Sequence, residues 1–197
     1  MFRLKEYAFY VDPEVNLLQV AGRALLFIIL SAWGLVFIFS SVESNYAGTS
    51  FLHLINLPFH EAGHIFFRLF GRFLTILGGS LMQVLIPVIC LGAFLLRTRD
   101  PFAASVGLWW TGESLLDLAP YINDARTLKL MLLGGVTGAD VEDYHDWEYL
   151  LGKLGMLDCD HLIAKATHLI GSMLMITACV WGGYVIWRQF RFIRDEN

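Results

Sequence analysis

Residues 51–70 read FLHLINLPFHEAGHIFFRLF, an apolar run with His60-Glu61-Ala62-Gly63-His64 at its centre. On an α-helix, residues four apart lie one turn apart on the same face. Two neutral imidazoles placed so can close on one metal ion, and a glutamate between them can take a proton from a water on that ion. Zinc is the expected ion, because it accepts imidazole readily and keeps a fourth position open. His60 and His64 are therefore the expected ligands and Glu61 the expected general base.

The same face carries more polar groups. His53, Asn56, His60, His64 and Arg68 recur three or four residues apart, so a polar stripe runs down a greasy rod. Lipid cannot satisfy such a stripe, which must face protein or a water-filled cavity. Pro58 has two readings: a kink inside the helix, or a first-turn proline with Asn56 as the N-cap.

Outward from this stretch the whole chain is apolar. Its 197 residues are 56% hydrophobic and 16% charged, with a mean hydropathy of +0.58. Soluble domains are more charged and less apolar, and several runs are long enough to cross a bilayer. The expected class is an all-α integral membrane protein with about four to five membrane helices, all in one domain over residues 1–197. The net charge of -4 and the absence of a basic patch interleaved with aromatics exclude nucleic acid as a partner. Cys90, Cys159 and Cys179 have no paired spacing and imply no disulfide framework. Residues 1–20 mix basic and acidic groups and end in no small-residue cleavage site. They are read as a lead into a retained first span, residues 21–41, rather than as a signal peptide.

Beyond the histidine helix, residues 74–96 contain Gly78-Gly79, Gln83 and Pro87. They form either an ordinary span or a re-entrant segment lining the site. In residues 101–126, Glu113, Asp117 and Asp124 are spaced to form a carboxylate stripe opposite the histidines. Residues 127–160 are an acidic extramembrane loop with a short amphipathic helix around 147–154, and 161–187 is the final span. The positive-inside rule places both termini and the Arg68–Arg72 turn in the cytoplasm. Four crossings plus a re-entrant 74–96 satisfy it. The expected location is a bacterial inner membrane.

A catalytic zinc site needs a third protein ligand. Asp124 is the first choice, Asp117 the second, and His145 an alternative if the loop folds back. Glu113 is expected to hold an imidazole N–H. Arg126 or His145 is the expected oxyanion partner.

HEAGH inside a membrane span, a following GGSLMQ segment and an acid further on resemble the site-2-protease-like (M50) membrane metalloproteases. The resemblance covers residues 51–126. It implies a zinc ion bound by His60, His64 and an aspartate, with Glu61 activating water. The family's usual aspartate context is replaced here by APYINDAR. Small uncharacterised bacterial members of that group share YxxDAR and HDW elements with this chain. That likeness draws Asp124, Arg126, His145 and Asp146 into the set of ligands or groups around them. The resulting expectation is a membrane-embedded zinc metallopeptidase whose partners are membrane lipids and a peptide or membrane-protein substrate. The alternatives are a zinc-dependent hydrolase of a lipid or other amphiphile, and a non-enzymatic metal-binding membrane protein.

Overall fold

Asn16 starts the first long helix by a reciprocal cap: its side chain accepts from Gln19 N, and the Gln19 side chain accepts from Asn16 N. The computed structural model describes residues 4–196; residues 1–3 of the N-terminal lead lie outside the described residues. The helices are α1 (Leu4–Ala8), α2 (Leu17–Phe39), α3 (Phe51–Phe66), α4 (Arg72–Leu96), α5 (Pro101–Asn123), α6 (Asp146–Leu154) and α7 (Asp160–Glu196). No strand occurs among the described residues; Met131 and Thr137 form an isolated antiparallel bridge.

Local chemistry sets these boundaries. Ser50 caps α3 by accepting from His53 N, and Pro58 lies inside the helix, so Asn56 is no cap. Asp100 caps α5, accepting from Phe102 N and Ala103 N, with Pro101 in the first turn, where its missing N–H costs nothing. His145 caps α6.

Among the described residues three helices are long and apolar enough to cross a membrane: Leu17–Phe39, Arg72–Leu96 and Leu157–Asp195. Helix α5 is the hub. It is buried along most of its length and packs against α7, α4 and α2. Its closest neighbour is α7, where a Cβ added to Gly112 or to Gly171 would lie 2.7 Å from the other's carbonyl oxygen. Backbones approach this closely only where small residues meet. A central helix that touches protein on nearly every side can carry Glu113 and Asp117, which a lipid-facing helix could not.

The path of the chain corrects one expectation and bears on another. At one end of the bundle Arg23 pairs with Asp100, Arg99 lies over the Tyr7 ring, and Trp181 and Arg188 donate to the carbonyls of Ala8 and Phe9. Both termini and the α4–α5 link therefore share that end. At the other end His168 meets the Ser40 carbonyl, and Val42 packs with Leu118, Ile122 and Ala164. Arg72 pairs there with Asp143 at 2.8 Å. The Arg68–Arg72 turn thus lies opposite the termini, beside the acidic segment, because Asp143 offers it a counter-charge. Residues 74–96, for which the sequence leaves a span and a re-entrant segment both open, form the inner part of one unbroken helix, α4, that is long and apolar enough to cross. The stretch that enters and leaves at one end is residues 40–70. Past α2 the chain turns back into the bundle, so that Tyr46, Ala47 and Leu52 pack with Phe37 and Trp109. Helix α3 then runs antiparallel to α4, with His60 at Gln83, Gly63 at Gly78 and His64 at Thr75.

Candidate metal centre

The polar stripe of α3 faces inward, between α4 and α5. Its fit against α4 depends on glycine: a Cβ on Gly78 would lie 2.7 Å from the Gly63 carbonyl oxygen. A Cβ on Gly79 would lie 2.6 Å from Nε2 of both His60 and His64. Gly78-Gly79 is therefore a close-approach surface within a continuous helix, not a break in it.

Each imidazole is oriented by its Nδ1. His60 Nδ1 lies 3.1 Å from Gln83 Oε1, and His64 Nδ1 lies 2.9 Å from the Thr75 carbonyl. The Gln83 amide nitrogen donates to Asp117 Oδ2 at 2.9 Å, which turns its oxygen toward His60. Both acceptors require a proton on Nδ1, so in the neutral ring Nε2 is left as a lone pair. The two Nε2 atoms converge on one carboxylate oxygen, Asp146 Oδ2, at 2.9 Å from His60 and 3.3 Å from His64. Three such groups that close together call for a positive charge among them, supplied by a proton on an imidazole or by a metal ion. His60, His64 and Asp146 are also the one group of three or more such donors, among the described residues, placed to hold a metal ion.

Asp146 reaches the histidines because α6 docks against the bundle. Its backbone N–H donates to the Tyr121 hydroxyl at 2.8 Å, and Trp147 Nε1 donates to Ser80 Oγ at 3.2 Å. Leu150 and Leu151 are buried beneath α6.

A second layer of polar groups backs the first. Asp117 accepts from His53 Nδ1 at 2.9 Å and from Asn56 Nδ2 at 3.0 Å as well as from Gln83. Asn56 donates also to Glu113 Oε2, and its own oxygen accepts from Trp110 Nε1 at 2.9 Å. The carboxylate and histidine stripes therefore do meet, but through Asp117, Glu113, His53 and Asn56.

The first-choice ligand, Asp124, is not brought to the histidine pair. Helix α5 ends at Asn123, and Asp124 turns into the following loop, where it accepts from Lys129 N and Leu130 N at 2.9 Å each and from the Thr127 hydroxyl. His145 is fully buried beside it and is no ligand of the pair. Arg126 lies on Asp160 at 2.7 Å rather than over a reaction site. Glu61 lines the same cavity as His60, His64 and Asp146, and no hydrogen bond among the described residues engages its carboxylate. That cavity has a volume of about 580 Å³ and is walled by Leu54, Leu57, Leu118 and the residues from Leu130 to Gly134, which lead into a turn.

Sequence reasoning missed Gln83, Thr75 and Gly79 as groups that shape the site. A signal existed for two of them: Gly79 and Gln83 are four residues apart and so share the face of α4 that meets His60. No known family model, curated protein or solved structure matches the chain.

Proposed function

We propose that the protein is a membrane-embedded zinc metallopeptidase that hydrolyses a peptide bond by water attack. The observation that carries this reading is the convergence of His60 Nε2, His64 Nε2 and Asp146 Oδ2, with Glu61 in the wall of the same cavity. Two imidazoles and one carboxylate are a common protein donor set of a hydrolytic zinc site. A zinc ion held by His60, His64 and Asp146 would supply a Lewis acid that polarises a carbonyl and lowers the pKa of water to about 7.

The chain's own residues do the rest. Glu61 takes the proton from the attacking water and delivers it to the leaving nitrogen as the C–N bond breaks. Asp117, through Gln83, keeps the His60 proton on Nδ1 and so keeps Nε2 directed at the centre. A peptide substrate is supported by the size of the cavity and by the five consecutive residues, Leu130 to Gly134, that line it, where a bound chain would meet backbone as well as side chains.

The membrane arrangement that fits the path is four crossings, by α2, α4, α5 and α7, with residues 40–70 re-entering from one side. Lys5, Arg97, Arg99, Arg188 and Arg191 gather at the end that holds the termini, which supports a cytoplasmic location for that end. The site then lies toward the opposite face, in a bacterial inner membrane. The resemblance of the HEAGH stretch to site-2-protease-like enzymes points to the same chemistry.

Glu61→Gln tests the proposal. It should keep the metal and abolish cleavage of added peptides in detergent or proteoliposomes. Retained turnover removes the mechanism, and release of fatty acid with no peptide product moves the substrate class to lipids.

A further inference from the structure

Asp124 and His145 are both buried, both outside the donor set, and adjacent to each other. Asp124 leaves the end of α5, and the chain later returns so that His145 Nε2 lies 3.6 Å from Asp124 Oδ2. His145 is the N-cap of α6: its Nδ1 accepts from Glu148 N at 3.1 Å. That acceptor role leaves the ring proton on Nε2, the atom facing Asp124. Nε2 has no hydrogen-bond partner in reach, so Asp124 is the charge that compensates it. The His145 ring also lies against Tyr121, with centroids 4.4 Å apart, and the Tyr121 hydroxyl accepts from the N–H of the next residue, Asp146. Gly138 leaves room for this packing: a Cβ there would lie 3.0 Å from the Cβ of His145.

We propose that Asp124 and His145 form a clasp that positions Asp146. Asp124 orients the buried imidazole, the imidazole caps α6, and the cap sets the first residue of α6 against His60 and His64. Both are positioning residues and neither touches the metal. The inference rests on Asp146 being the third donor, as proposed above. It also accounts for the acidic segment, which carries a ligand across to a site whose other donors lie on α3.

The test is metal affinity of the full-length protein, measured by competition with a zinc chelator, together with the visible absorption spectrum of the cobalt(II)-loaded form. Asp146→Ala is the control for the ligand reading and should lower affinity by more than the clasp variants do. Asp124→Asn and His145→Ala should each weaken zinc binding by about 10- to 100-fold, the range for groups that orient ligands. Both should alter the cobalt spectrum, and together they should cost no more than either alone. His145→Asn restores a cap acceptor for Glu148 N and should recover part of the His145→Ala loss. If Asp146→Ala lowers affinity but Asp124→Asn leaves affinity and spectrum unchanged, the clasp is wrong and the ligand reading stands. If Asp146→Ala changes neither, the donor set itself is wrong. Should His145→Ala fail to fold, Asp124→Asn carries the test, because it keeps the size of the side chain.

Discussion

Gly79 presses its backbone against the imidazole of His60: a Cβ added there would lie 2.6 Å from His60 Nε2. The space that a methyl would fill is the space the proposed ion needs. Alanine is preferred over glycine inside a helix by about 0.5–1 kcal/mol, so Gly79→Ala should not disfavour α4 itself. Its expected effect is loss of bound metal, with helix content retained. Metal analysis and circular dichroism of the purified variant check this; a fully metallated Gly79→Ala protein contradicts the placement of the ion.

Gln83 couples the centre to the layer behind it. Its oxygen accepts from His60 and its nitrogen donates to Asp117. Gln83→Met keeps the approximate volume and removes both bonds. Zinc affinity should fall by about 10- to 100-fold, and the ring NMR shifts of His60 should report a mixture of tautomers. An unchanged affinity would mean that packing alone orients the ring.

Asn56 is the most demanding position in the buried network. Its amide donates to Glu113 and Asp117, and its oxygen accepts from Trp110. Asn56→Leu strips a buried hydrogen bond from all three partners at once. Each unsatisfied group costs about 1–3 kcal/mol, more when charged. The variant should therefore unfold at markedly lower temperature or fail to accumulate, as measured by thermal unfolding in detergent. A wild-type midpoint would contradict the network.

Acid should loosen the segment that carries Asp146. Burial raises the Asp124 carboxyl, but His145, the Thr127 hydroxyl and the N–H groups of Leu130 and Lys129 outweigh it and hold the group at about 2, against 3.8 for a free aspartate. A depressed folded-state value means that stability is present above the unfolded value and is lost as pH falls through the folded one. The contribution of Asp124 should thus fade between about pH 4 and pH 2. Hydrogen exchange over residues 128–139 should accelerate in that window in the wild type, and Asp124→Asn should already exchange quickly at neutral pH. Equal protection in both at neutral pH would show that Asp124 does not anchor the loop.

What could be read from the sequence follows the range of each interaction. His60, Glu61 and His64 were legible because their relation is one helical turn, and a helix fixes it locally. The inward-facing stripe from His53 to His64 was legible because lipid cannot accept it. Asp146 entered only through the HDW likeness, as one of several groups that could lie at or around the centre, since nothing local says that a residue far along the chain folds back to His60 and His64. Asp124 looked better because its spacing continues the α5 stripe, yet the helix ends one residue before it and the stripe ends there too. Gly78-Gly79 looked like a break because glycine disfavours helices; here it permits contact with Gly63, His60 and His64. The charge rule misplaced Arg72 because Asp143 neutralises it, a pairing visible only in three dimensions.

The ligand set itself can be measured directly by X-ray absorption at the zinc edge of the purified protein. Two imidazole nitrogens and oxygen donors are expected, all at about 2.0–2.2 Å. One oxygen contribution should change in Asp146→Ala, and the imidazole contribution should fall from two nitrogens to one in His60→Ala, or the ion should be lost. A sulfur donor at about 2.3 Å, or a spectrum indifferent to Asp146, would contradict the proposed centre.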